Sequence, residues 1–192
     1  NGKRFVNEDS YGARIGYFCS QQEEQKIYMV IQDEDYNPSI YMDRLPILAV
    51  AETINELEVE AGFEKGTISS TIQQYNQYAK NGNDEDFQKD PKWLKEFSKP
   101  PYAIIDYSFA NQSSPAYSEK NGPLMFTLGG LETLPTGEVL DKSGEIIPKL
   151  FAAGRTTAGL PRTGKGYASG MSVGDATFFG RMAGKSAAKS IC

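Results

Sequence analysis

Apolar and polar positions fall in short blocks along this chain, and the period of the blocks changes from one stretch to the next. Residues 3–8, KRFVNE, predict a short strand leading into a turn. Residues 26–34, KIYMVIQDE, form a β-rich apolar run and predict a buried strand. Thr53 and Glu56 make a capping box ahead of Ile54, Leu57 and Ala61, which share one helical face, and Gly62 ends that helix. A second helix is predicted from about Thr67 to Lys80, with Ile68, Ile72, Tyr75 and Ala79 on one stripe. The stretch NGNDEDFQKDP that follows is a polar connection.

After KPP the texture changes. YAIIDYSFA predicts a strand. LMFTLGGLETLPTGEVLD predicts a hairpin with Pro-Thr-Gly as its turn, and IIPKLFAAG a second apolar strand stopping at Gly154. A boundary near residues 99–101 divides the chain into 1–100, mixed α/β, and 101–192, strand-rich with one C-terminal helix. No internal repeat is visible.

That last helix and its approach, TGKGYASGMSVGDATFFGRMAGKSAA, hold the candidate chemistry. Ser172 and Asp175 read as a capping pair. Val173, Ala176, Phe179, Ala183 and Ala187 fall on one broad stripe, and Gly180, Ala183, Gly184 and Ala187 make a small-residue face. Helical glycine costs roughly 1 kcal/mol relative to alanine, so two of them predict a close approach to a sheet or ligand. The helix start carries unpaired backbone N–H groups and a partial positive charge, fit for an anion or for developing negative charge. Glycines 164, 166 and 170 would let a flat or charged ligand reach the backbone; a plain glycine-rich turn is the other reading. GLPRTGKG imitates a phosphate-binding loop, but Gly166 stands where that loop needs Ser or Thr. No G-x-G-x-x-G follows a strand.

Composition narrows the chemistry. The 192 residues, 39% hydrophobic and 23% charged with a net charge of −5, suit a globular protein with a real core. Basic residues are scattered, so nucleic acid is not an expected partner. No apolar run is long enough to span a membrane. Cys19 and Cys192 are expected to be incidental thiols, and no metal site is expected. Histidine is absent, which removes Ser-His-Asp and Cys-His catalysis and leaves acid–base work to Tyr, Ser, Lys, Asp or Glu. The opening NGKRFVNEDS is neither a signal peptide nor a methionine start, and reads as the middle of a longer protein.

GKRFVNED, TLGGLETLPTGEVLDKSGEIIPKLFAAGR and GYASGMSVGDATFFGRMAGKSAA together resemble the C-terminal half of the FAD-dependent fumarate reductase and 3-ketosteroid dehydrogenase superfamily. The resemblance covers nearly the whole chain. It implies an α/β fold in which residues 1–100 form part of a substrate-capping domain and residues 101–192 the end of a Rossmann-like FAD-binding domain, with an N-terminal FAD-binding half as the missing partner. Held apart from that half, the chain is expected to bind FAD weakly or not at all. The start of the final helix, through the backbone of Gly170, Met171, Ser172 and Val173, would face the flavin and stabilise its reduced, negative form. Ala153, Gly154 and Arg155 would meet the cofactor near its ribityl chain or pyrophosphate, although the family often has an acid where this chain has Arg155.

Met125 or Phe126 stands where a fumarate reductase would have histidine, and Tyr167 where it would have arginine. A pocket that exchanges cations for aromatics suits an apolar fused-ring ketone better than a dianion. GYASGMSVGD most resembles the signature of 3-ketosteroid Δ4-(5α)-dehydrogenases. That likeness implies Tyr167, Ser169 and Tyr11 as catalytic residues. A hydride would leave for FAD, and a proton from the adjacent carbon would go to Tyr167, aided by Ser169, with Tyr11 hydrogen bonding or relaying. A tyrosine of ordinary pKa near 10 is a poor base at neutral pH unless its phenolate is stabilised, and a helix start with a hydroxyl partner can do that. Tyr17, Tyr102, Tyr107 and Tyr117 are further candidates to line a pocket. A cytoplasmic or membrane-peripheral place is expected. Two alternatives stay open: a reductase of another unsaturated substrate, and a fragment with no catalysis of its own.

Overall fold

A computed structural model describes residues 1–37, 45–111, 127–160 and 162–190. In chain order its regular elements are α1 (Gly12–Ser20), β1 (Tyr28–Gln32), β2 (Ile47–Ala51), α2 (Ile54–Glu60), α3 (Thr67–Asn81), β3 (Tyr102–Asp106), β4 (Glu138–Leu140), β5 (Ile146–Phe151) and α4 (Met171–Lys189). They divide between two compact units: Asn1–Ser10 with Phe18–Leu124, and Tyr11–Tyr17 with Met125–Cys192.

The first unit is a three-stranded antiparallel sheet, order β1-β3-β2, with α2 and α3 on one face. Tyr28 pairs with Asp106 and Gln32 with Tyr102 on one side of β3; Ala51 pairs with Tyr102 on the other. Leu57, Ile68, Ile72, Ala49, Tyr102 and Ile104 form the core between sheet and helices, and Leu57 and Ile104 are wholly buried. Each of the Leu and Ile side chains contributes about 1.5–3 kcal/mol by leaving water. Thr53 caps α2 as the capping box predicts, accepting from the Glu56 N–H at 3.2 Å while its hydroxyl donates to the Glu56 carboxylate at 2.9 Å. α3 buries Ile68, Ile72 and Tyr75 as expected, and Tyr78 besides.

α3 starts at Gly66 in the left-handed region (φ 93°), with no side chain of its own to cap the helix. Glu58 of α2 supplies the cap. Its buried carboxylate accepts from the N–H groups of Gly66 (2.6 Å), Ile68 (2.9 Å) and Ser69 (3.0 Å), and from the Ser69 hydroxyl (3.2 Å). Burial alone would favour the neutral acid. The hydrogen bonds from Gly66, Ser69 and Ile68 outweigh it and hold the Glu58 carboxyl below the usual carboxylate range.

Three expectations change in this unit. Residues 3–8 form no strand; their shape is set by Arg4, which donates to Glu8 and to the buried Asp84 and lies over the rings of Tyr75 and Phe87. Residues 12–20 form a helix that no capping or periodic signal announces. The composition change at residues 99–101 falls inside the first unit, because β3, just beyond it, is the central strand and pairs on both edges.

In the second unit, β4 and β5 pair antiparallel, and α4 packs on β5 and on the turn that follows it. Pro135 opens a tight turn closed by the Gly137 N–H donating to the Leu134 carbonyl at 2.8 Å, as the Pro-Thr-Gly sequence predicts. Residues 124–126 of the expected hairpin lie outside the described residues. Gly137 (φ 98°) touches α4 so closely that a Cβ there would overlap Ala183. This is the close helix approach expected from the small-residue face. Gly180 and Gly184 play no part in it, since nothing lies within 4 Å of the space their Cβ atoms would fill.

The capping pair is corrected. Gly170 (φ 81°), not Ser172, precedes the first turn of α4, and no side chain caps it. Asp175 is buried and clamps the preceding loop, accepting from the Leu160 N–H at 3.0 Å, with its carboxylate against Gly159. The predicted stripe rotates accordingly. Asp175 and Ala183 are the buried positions of α4 and Val173 is 68% exposed. Two residues from Asp175 on a helix of 3.6 residues per turn, Val173 projects from the far side.

Candidate functional site

The second unit brings two of the three sequence-predicted catalytic residues together. Tyr167 is buried at the end of the glycine-rich approach, and its ring stacks on Tyr11 with centroids 5.5 Å apart and planes 19° from parallel. Tyr11, just before α1, is 47% exposed and so covers Tyr167 while keeping one side open to solvent. Two tight turns flank Tyr167: its own N–H donates to Gly164 O at 3.2 Å, and beyond it the Met171 N–H donates to Ala168 O at 3.3 Å. Gly164 lies against Tyr17, where a Cβ would overlap the aromatic side chain.

The Tyr167 hydroxyl shares a hydrogen bond of 2.5 Å with Ser172 Oγ. Ser169, expected beside it, is exposed in the turn two residues on. The hydroxyl partner seen here is therefore a residue read from the sequence as a cap. The signal lay in Gly170: a glycine at the helix boundary makes Ser172 the second helical residue, and side chains of the first turn lean back toward the N-terminus, where Tyr167 sits.

Met171, Ser172 and Val173 open α4, and the first N–H groups of a helix have no partner inside it. With no side-chain cap at Gly170, this end presents donors and the positive end of the helix dipole. Ala153 and Gly154 follow β5, and Gly154 (φ 69°) turns the chain against Ala176 in the second turn of α4. The Arg155 guanidinium donates to the Thr127 carbonyl across the same unit. The helix start, a glycine turn and exposed apolar side chains (Val173, Phe178 and Leu160) fit the edge of a flat, acceptor-rich ring system.

The other charged clusters belong to the scaffold. Arg4, Glu8, Asp84 and Lys89 are mutually paired. Burial works against the Arg4 charge, but the hydrogen bonds it donates to Glu8 and Asp84 raise its pKa. Tyr102 belongs to the core of the first unit, and Tyr117, Met125, Phe126 and Cys192 lie outside the described residues. Among the described residues no cluster of His, Cys, Asp or Glu could hold a metal, and no helix is long and apolar enough to cross a membrane.

Residues 1–170 match the family model described as FAD binding domain, and the chain belongs to that family. Membership indicates FAD as the cofactor, in agreement with the resemblance read from the sequence. The chain aligns over 97% of its length with a solved 3-ketosteroid-Δ4-(5α)-dehydrogenase from Rhodococcus jostii RHA1 in complex with 4-androstene-3,17-dione, at 37% identity and a TM-score of 0.74, and covers 37% of that protein. It is also 37% identical over 147 residues to a vinyl phenol reductase from Lactiplantibacillus plantarum, covering 75% of this chain and 27% of the relative. A fumarate reductase (cytochrome) from Shewanella frigidimarina is 28% identical over 192 residues, which cover 98% of this chain and 31% of the relative. The chain spans well under half the length of each.

Proposed function

We propose that this chain forms part of an FAD-dependent dehydrogenase acting on a CH–CH bond beside a ketone, with 3-ketosteroids as the substrate class. The observation that carries the reading is the buried Tyr167 hydroxyl, placed at the uncapped start of α4 and stacked against Tyr11. When bound, FAD supplies the acceptor for the substrate's hydride. Tyr167 takes the proton from the neighbouring carbon as the C=C bond forms. Ser169, exposed in the turn two residues on, would aid Tyr167, and Tyr11 assists by hydrogen bonding or proton relay. Gly170, Met171, Ser172 and Val173 would hold the flavin edge, and Ala153, Gly154 and Arg155 a more distant part of the cofactor. The unit of Asn1–Ser10 with Phe18–Leu124 would serve as part of the substrate-capping domain and that of Tyr11–Tyr17 with Met125–Cys192 as the end of the FAD domain, completed by an N-terminal half. A cytoplasmic or membrane-peripheral place goes with this reading.

The likeness to the vinyl phenol reductase favours a second reading, reduction of a C=C bond conjugated with an aromatic ring. Turnover of the FAD-loaded protein on ketosteroids and on vinyl phenols, each with an artificial electron acceptor or donor, separates the two. The first reading expects ketosteroid oxidation that Tyr167→Phe abolishes. Near-normal turnover in both Tyr167→Phe and Ser169→Ala would end the assignment.

A further inference from the structure

We infer that Ser172 is the positioning residue for Tyr167: the hydroxyl that holds the phenol oxygen in place for proton transfer belongs to α4, and not to the turn that carries Ser169. The inference rests on the proposed role of Tyr167 and assigns that role a partner.

The geometry carries it. Ser172 Oγ and Tyr167 Oη are 2.5 Å apart, within the range of a strong O–H···O bond. Tyr167 is buried and Ser172 half-buried, so the bond is partly shielded from competing water. Serine in a first helical turn commonly caps its helix or bonds a nearby backbone carbonyl. Ser172 does not cap, because Gly170 holds the cap position, and its hydroxyl reaches back five residues to a side chain instead. The Tyr167 ring stacks on Tyr11, so ring stacking and the bond to Ser172 both act on where the phenol oxygen lies.

The proton count agrees. When Tyr167 accepts a proton its oxygen must arrive as an acceptor, and the Ser172 hydroxyl then donates its one hydrogen to it. Ser172 lies in the first turn of a 19-residue helix, so backbone dipole and hydroxyl act on the same oxygen. Alanine at 172 leaves the dipole and removes the donor. Threonine keeps the hydroxyl.

The test uses the FAD-loaded protein and its best ketosteroid or vinyl phenol. Ser172→Ala is expected to lower kcat about tenfold, the scale of one lost hydrogen bond, with KM within about twofold. Ser172→Thr is expected to recover most of the rate, and the thermal midpoint and flavin content of all variants to match the parent. Introduced into Tyr167→Phe, Ser172→Ala is expected to cost nothing further, because its effect passes through the missing phenol oxygen. Unchanged kcat in Ser172→Ala beside an inactive Tyr167→Phe overturns this inference and leaves the proposed function standing. Loss of flavin or of folding in Ser172→Ala that threonine does not repair also overturns it, as does an undiminished penalty in the Tyr167→Phe background. Near-normal turnover in Tyr167→Phe removes this inference, and near-normal turnover in Ser169→Ala as well removes the proposed function with it.

Discussion

Two helices in this chain begin in the same way and finish the job differently. α3 and α4 both follow a glycine in the left-handed region, Gly66 at φ 93° and Gly170 at φ 81°, and neither glycine offers a side-chain cap. At α3 the buried Glu58 carboxylate fills the gap with three backbone N–H bonds and a hydroxyl. At α4 no side chain among the described residues caps the start; Ser172 reaches away to Tyr167, and Val173 stands 68% exposed. An orphaned helix start carries a real cost; the cap on α3 offsets it, and the proposed role of α4 is to offer its start to a ligand. The comparison teaches where to look: the same local sequence habit marks scaffold when a buried acid answers it and a candidate site when none does.

Breaking the open end is expected to have the largest effect. Tyr167→Phe removes the proposed proton acceptor and keeps the ring stacked on Tyr11, so kcat is expected to fall roughly 10²- to 10⁴-fold, the usual contribution of a positioned acid–base group, with the melting temperature little changed. Steady-state kinetics and a thermal melt on the same sample check both halves.

Breaking the closed end acts on folding. Glu58→Ala strands several donors in a buried place and is expected to cost about 1–3 kcal/mol, read by denaturant unfolding. The reaching side chain matters more than the glycine it serves: nothing lies within 4 Å of a Cβ built at Gly66, so Gly66→Ala carries only the strain of its φ.

Acid sharpens the same contrast. Glu58 and Asp84 both have carboxyls held below the usual range in the folded state, Glu58 by its backbone donors and Asp84 by Arg4, in each case against the opposing effect of burial. A depressed folded pKa stabilises above the unfolded pKa and is lost as pH falls through the folded value. Stability is therefore expected to decline as pH drops below the ordinary carboxylate range. In Glu58→Gln that decline is shallower, and a pH series of denaturant melts reads the difference.

A smaller effect is expected where α4 meets its turn. Gly137→Ala combines an unfavourable φ with overlap against Ala183 and is expected to destabilise by about 1–3 kcal/mol, measured by thermal unfolding.

Much of the first unit was legible in the sequence, because its signals are local. Thr53 and Glu56 announce α2, the apolar spacing of Ile68, Ile72 and Tyr75 announces α3, and the runs around Val30 and Ile104 announce strands. What escaped depends on partners distant in sequence. No local rule makes Glu58 cap a helix that starts nine residues later, or lets Arg4 reach Asp84 across 80 residues. At the site, Tyr167 and Tyr11 were named from a resemblance, and their stacking could not be read from a separation of more than 150 positions. Ser172 and Asp175 were misread because their spacing matches a capping box, while Gly170 was the true boundary. The residue types were right for capping, and tertiary contacts took both side chains elsewhere.

The central claim is that the start of α4 is held open for FAD. Val173→Asp tests it most directly. An acid in the first turn favours the helix dipole, and an exposed position tolerates it, so folding stability should hold or rise slightly. The same charge would repel a reduced, negative flavin. The account predicts a fully folded protein whose bound flavin has a more negative reduction potential than the parent's, measured by dye-equilibrated titration. A folded Val173→Asp protein with an unchanged flavin potential would contradict it.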